Sequence, residues 1–83
     1  MDKYYLTTSN NRIGNYYVVH KHLNGKLWYC ITFTNDVAPI FNFSSYVHTD
    51  IEDLNDYLEE YNETLVYEGY YQEVIDRYQL LKV

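Results

Sequence analysis

Eighty-three residues, 47% of them hydrophobic, suffice for one compact domain spanning 1–83. A net charge of −6 excludes the basic surface that direct binding to nucleic acid or to an anionic membrane requires. No apolar run approaches the ~18–20 residues of a membrane span, and a single cysteine, Cys30, excludes an internal disulfide.

In chain order, Tyr4-Tyr5-Leu6-Thr7-Thr8 is rich in strand formers and predicts a short strand at about 3–8. Ser9-Asn10-Asn11 and Gly14 then read as a turn. The strongest local signal runs from Tyr16 to Thr34. Two β-rich segments, NYYVVHKHL and KLWYCITFT, flank Asn24-Gly25. That dipeptide suits a type I′ turn, in which both central residues take positive φ. The turn sets the pairing of Leu23 with Lys26, Lys21 with Trp28, Val19 with Cys30 and Tyr17 with Thr32. One face then carries Tyr16, Val18, His20 and His22 with Leu27, Tyr29, Ile31 and Phe33, and is the better core candidate towards its Tyr16–Phe33 end. The other carries Tyr17, Val19, Lys21 and Leu23 with Lys26, Trp28, Cys30 and Thr32, and its lysines predict a partly wet surface.

Asn35 to Pro39 reads as a turn and Ile40-Phe41-Asn42-Phe43 as a short strand. Thr49-Asp50-Ile51-Glu52 has the form of a capping box. Ile51, Leu54, Leu58, Tyr61 and Leu65 follow at helical spacing, which predicts an amphipathic helix continuing to about Tyr67 with Gly69 just past its end. Thr64 to Tyr67 (TLVY) also alternates as a strand would. Tyr71, Val74, Ile75, Tyr78 and Leu81 mark a second amphipathic helix, with Glu73 and Arg77 spaced as an i, i+4 pair; its last residues, YQLLKV, also suit a strand. The expected fold is α+β: an antiparallel sheet of three to four strands followed by two amphipathic helices packed on one of its faces.

Charge is unevenly placed. Residues 1–49 carry a net +2 and residues 50–83 a net −8. Asp50 to Glu63, DIEDLNDYLEEYNE, holds seven carboxylates and no Lys or Arg. On a helix, Glu52, Asp53, Asp56, Glu59, Glu60 and Glu63 fall within an arc of roughly 120° opposite the apolar stripe. They would span about 16 Å, a scale on which carboxylates match phosphates along a DNA groove edge. Like charges at i, i+4 oppose helix stability, each pair costing ~0.2–0.5 kcal/mol. A surface selected for stability would intersperse Lys, so the arc reads as an anionic binding surface.

The remaining chemistry points away from an enzyme. His20 and His22 are spaced as two ligands on one strand face, but a structural zinc needs four ligands and no others are placed to complete it. Cys30 lacks a local base, and Gly14, Gly25 and Gly69 stand apart, so no glycine-rich phosphate loop is present. No catalytic, metal or cofactor site is expected. Trp28 on the Lys21/Lys26 face is a candidate anchor for a homodimer or a partner.

In size, acidity and the segment DIEDLNDYLEEYNE flanked by tyrosines, the chain resembles the small acidic DNA-mimic proteins of phages and mobile elements. These include anti-CRISPR, anti-restriction and uracil-DNA glycosylase inhibitors. The resemblance implies an inhibitor acting in the cytoplasm, that of the host cell if the chain is phage-encoded. The partner would be a nuclease or other defence or repair enzyme with a basic nucleic-acid-binding groove. Tyr57, Tyr61, Tyr67 and Tyr70 would stack where bases or sugars otherwise sit. Two alternatives share the composition: an immunity protein or antitoxin neutralising a basic toxin, and a regulatory interaction module using the Trp28 face. The N-terminal MDKYYLTTSNN lacks the apolar centre of a signal peptide, consistent with a cytoplasmic location.

Overall fold

The computed structural model describes residues 2–9, 16–33 and 46–81. Within them the order is β1 (Tyr4–Ser9), β2 (Tyr16–Leu23), β3 (Lys26–Phe33), β4 (Val47–Thr49), α1 (Leu54–Glu60), β5 (Glu63–Gly69) and α2 (Tyr71–Leu81). The turns expected at 10–14 and 35–39 and the strand expected at Ile40–Phe43 lie outside the described residues. No described helix is long and apolar enough to cross a membrane.

The β2–β3 hairpin has the register that its turn dictates. Leu23 pairs with Lys26, Lys21 with Trp28, Val19 with Cys30 and Tyr17 with Thr32. Asn24 and Gly25 take φ of 54° and 74°, the conformation a type I′ turn demands. β1 adds antiparallel to β2, and β4 adds to β3. The fold is α+β, with an antiparallel sheet of five strands among the described residues, ordered β4-β3-β2-β1-β5.

Neither β4 nor β5 is among the expected strands, and β5 corrects the long helix. Glu63 to Gly69 pairs along the free edge of β1, from Ser9 opposite Glu63 to Tyr4 opposite Gly69. The helical stripe from Ile51 to Leu65 therefore breaks at its last position. The end of α1 is marked by Asn62, whose φ of 54° places it in the left-handed conformation that follows many helices. Asparagine tolerates that conformation better than other residues bearing a Cβ. The start of the helix also differs. Asp53 is the N-cap, its carboxylate accepting from the Asn55 N–H at 2.7 Å. Thr49 instead ends β4 opposite Leu27, and its hydroxyl accepts locally from the Ile51 N–H.

A bulge in β5 matters for the core. Leu6 faces Tyr67 and Thr7 faces Leu65, so Val66 is an extra residue. Val66 and Tyr67 both pack against the cluster formed by Leu6, Val19, Val74 and Tyr78. That cluster lies between the sheet and α2, whose Tyr71 and Tyr78 rings meet Tyr4 and Tyr17 edge-on. On the opposite face, Tyr57 of α1 lies against His20 and Tyr29, beside buried Val18 and Leu27. The helices thus cover opposite faces of the sheet rather than sharing one. The reason is in β2 and β3. Adjacent Val18 and Val19 point to opposite faces, and both are fully buried, so each face needs its own cover.

Two smaller expectations for α2 change. Leu81 is exposed, although it continues the stripe. Glu73 does not pair with Arg77. It accepts from the Tyr70 N–H and the Tyr67 hydroxyl, while the Arg77 guanidinium lies 4.4 Å from the Tyr67 ring centre.

The Asn62 turn yields a direct test. Asn62→Val should lower stability by about 1–2 kcal/mol, the cost of a side-chain-bearing residue in the left-handed region. Asn62→Gly should be the milder of the two. Urea denaturation midpoints of the two variants would show this order; equal midpoints would mean that the turn does not govern where α1 ends.

Candidate functional site

The carboxylates expected to form one helical arc are divided among three pieces of chain. Glu52 and Asp53 lie in the lead-in to α1, after Asp50. Asp56, Glu59 and Glu60 lie on α1 itself, which has only seven residues. All six of these side chains are exposed. Among the described residues none of the six forms an ion pair: Lys3 pairs with Glu68 and Lys21 with Asp2. Asp56, Glu59 and Glu60 line a shallow groove of about 500 Å³ with Ile51 at its side. A second groove of about 480 Å³ lies between the lead-in and the sheet, where Glu52, Asp53 and Leu54 face Tyr5, Leu65 and Glu68. His22 anchors that lead-in, its Nε2–H donating to the Glu52 carbonyl at 2.7 Å.

Glu63 leaves the surface. It is only 7% exposed, because the turn at Asn62 and the pairing of β5 with β1 direct its side chain under α1. Its carboxylate accepts from three hydroxyls: Thr7 at 2.7 Å, Tyr16 at 3.2 Å and Tyr57 at 3.3 Å. Burying a carboxylate is costly unless its oxygens are satisfied by donors, and here each oxygen has at least one. The Thr7 hydroxyl has a single proton and gives it to Glu63. His20, 2.8 Å away, must then donate to Thr7 from Nε2. His20 is fully buried, and among the described residues its Nδ1 finds no partner. Burial, with a smaller contribution from the charge of His22, lowers the His20 pKa to about 3. The ring therefore stays neutral near pH 7.

The four candidate tyrosines separate as well. Tyr61 remains with the acidic surface: it is 48% exposed, and its ring lies 4.6 Å from that of Tyr57. Tyr57 is 3% exposed and belongs to the core. Burial, then the nearby Glu63 charge, pushes its phenol well above the usual range. Tyr67 points to the α2 side of the sheet, held by Glu73 and Arg77. Tyr70 is exposed at the start of α2. The surface assembled around α1 is thus Asp50, Glu52, Asp53, Asp56, Glu59, Glu60 and Tyr61. Tyr5, His22 and Glu68 join its edge, a convergence of separate strands that no single segment announces.

The other candidates are engaged internally. His20 and His22 share a face, as their spacing implies, but one ring serves Thr7 and the other the Glu52 carbonyl. Among the described residues no three His, Cys, Asp or Glu side chains converge as metal ligands would. Trp28 is half-buried, donates to the Leu23 carbonyl at 3.2 Å and meets the His48 ring edge-on. On that face α2 packs against β1 and β5, whereas Trp28 stands on β3.

The buried histidine makes stability depend on pH. The folded state resists protonating His20 until pH approaches 3, whereas the unfolded chain takes up that proton near 6.5. The unfolded state binds more protons between those values, so stability falls as pH falls. From pH 7 to pH 5 this one group should remove about 2 kcal/mol. His20→Gln keeps a donor for Thr7 and should abolish that component. Urea titrations of both proteins at pH 7, 6 and 5 would check it, and parallel losses in the two would assign the effect to other groups.

Compared with protein-family models, with curated proteins and with solved structures, the chain matches none.

Proposed function

We propose that this chain is a small acidic inhibitor that occupies the basic nucleic-acid-binding groove of another protein, acting as a DNA mimic. One observation carries the reading. Six exposed carboxylates occur between Asp50 and Glu60 with no cation among them, and among the described residues none is neutralised by an ion pair. Such a surface costs stability through self-repulsion and gains it back only against an external cationic surface.

The geometry sets the scale of the mimicry. From Asp56 to Glu60 the helix rises about 6 Å, so α1 presents Asp56, Glu59 and Glu60 over roughly two phosphate spacings of one DNA strand. Asp50, Glu52 and Asp53 extend that charge along the lead-in. Tyr61, exposed beside Glu60, offers an aromatic face where a base or sugar would lie against the partner. The partner's Arg and Lys side chains, which otherwise hold phosphates, would pair with these carboxylates. Because the charges are exposed, they contribute mainly by steering association and by selecting a basic partner.

The test reverses the charge without touching the core. Asp56, Glu59 and Glu60 are exposed, so the triple change D56K/E59K/E60K should preserve the fold. Captured from a lysate of the source organism on the unmodified protein, a nucleic-acid-binding partner should be released by excess duplex DNA. It should also bind the triple variant at least tenfold more weakly. A partner retained by the triple variant would overturn the reading. One lost with the charges but not displaced by duplex DNA would assign the same surface to neutralising a basic toxin.

A further inference from the structure

We infer that the groove between the α1 lead-in and β5 is a receptor for an arginine side chain of the partner's basic surface. The inference deepens the inhibitor reading and rests on it. The sheet contributes Tyr5 from β1 with Leu65 and Glu68 from β5; the lead-in contributes Glu52, Asp53 and Leu54. Carboxylates therefore stand on both sides of a space with apolar and aromatic lining. At about 480 Å³ it has ample room for one long side chain. β5 is an edge strand, so the groove opens at the margin of the sheet, where a partner's chain can approach.

Three features favour a guanidinium over an ammonium. A planar cation can lie on the Tyr5 ring while its N–H groups fork towards carboxylates on two sides, which a point charge cannot do as well. The groove is also held in shape before anything binds. His22 fastens the lead-in through the Glu52 carbonyl and meets the Tyr5 ring edge-on at 5.8 Å. Preorganisation of this kind reduces the ordering that binding would otherwise require. Finally, the chain already seats a guanidinium on a tyrosine ring on the other face of its sheet. There the Arg77 guanidinium lies over the Tyr67 ring, and the Tyr67 hydroxyl donates to Glu73.

Glu68 already has a cation within reach, Lys3 at 3.7 Å, but both side chains are at least half exposed. Exposed pairs of this kind are weak, so Lys3 gives way to a better-placed partner group. Leu65, left 40% exposed at the groove's margin, would be covered by the stem of the incoming side chain.

The probe is N-acetyl-arginine methylamide, with N-acetyl-lysine methylamide as its comparison, titrated into the isotope-labelled full chain and followed by amide chemical shifts. The arginine probe should give saturable shifts centred on Tyr5, His22, Leu65 and Glu68, with the lysine probe about threefold weaker or worse. Glu68→Gln, a surface change that leaves the fold intact, should weaken the arginine probe by about threefold, within the range expected of one exposed ion pair. Lys3→Ala should leave that binding unchanged or stronger. Shifts that do not saturate, that centre on Asp56, Glu59 and Glu60 for both probes alike, or that ignore Glu68→Gln would overturn the assignment. The two readings fail separately. D56K/E59K/E60K should leave the groove's arginine binding in place, so loss of partner capture in that variant with an intact groove speaks only to the acidic face. Capture that still depends on the acidic face, with no arginine site in the groove, removes this inference alone.

Discussion

A single buried carboxylate ties four elements of this fold together. Glu63 begins β5 and accepts from Thr7 of β1, Tyr16 of β2 and Tyr57 of α1. His20 of β2 completes the set by donating to Thr7. Each donor is a neutral group, so the negative charge is stabilised by aligned dipoles rather than by an opposite charge. Removing one hydroxyl would leave part of a desolvated charge unsatisfied, which costs more than an ordinary hydrogen bond contributes. The arrangement demands that the chain turn inward immediately after α1. That explains why the helix stops at seven residues and why the left-handed residue at Asn62 is needed between Tyr61 and Glu63.

The parts of the fold legible in the sequence are those decided locally. Asn24-Gly25 admits few conformations, and once it is placed every pair along β2 and β3 follows. The extent of α1 was decided elsewhere. Thr49 and Asp53 are both good capping residues. Thr49 is claimed by β4, where it pairs with Leu27, and Asp53 takes the cap. Likewise Thr64 to Tyr67 suits either a helix or a strand by its own composition. What settles it is the open edge of β1, more than fifty residues away in the chain, as the Thr7–Glu63 contact shows. A periodicity reading weighs neighbours along the sequence and does not see a partner at that distance.

The candidate surface follows the same division. Glu52, Asp53, Asp56, Glu59 and Glu60 remain outside because each belongs to the lead-in or to the solvent side of α1. Glu63 and Tyr57 would join them only if all fourteen residues formed one cylinder. Once the chain changes from helix to strand at Asn62, the angular relation between Glu60 and Glu63 no longer holds. Tyr67 and Tyr70 follow the same logic: adjacent to the acidic run in sequence, they lie beyond the turn, and Tyr67 serves the opposite face of the sheet. The groove formed with Tyr5, His22 and Glu68 arises only where three strands lie side by side.

The strand order β4-β3-β2-β1-β5 has a kinetic consequence. The β2–β3 hairpin closes across a two-residue turn, a small loss of chain entropy. β1 gains its outer neighbour only when β5 arrives from the far part of the chain, and such non-local pairing is slow. Until then the outer edge of β1 offers unpaired backbone groups, with Leu6 and Thr7, both fully buried in the finished fold, along it. An open edge of that kind is where partly folded chains adhere to one another. The run of carboxylates ahead of β5 stands beside this exposure and repels other copies while the edge is open.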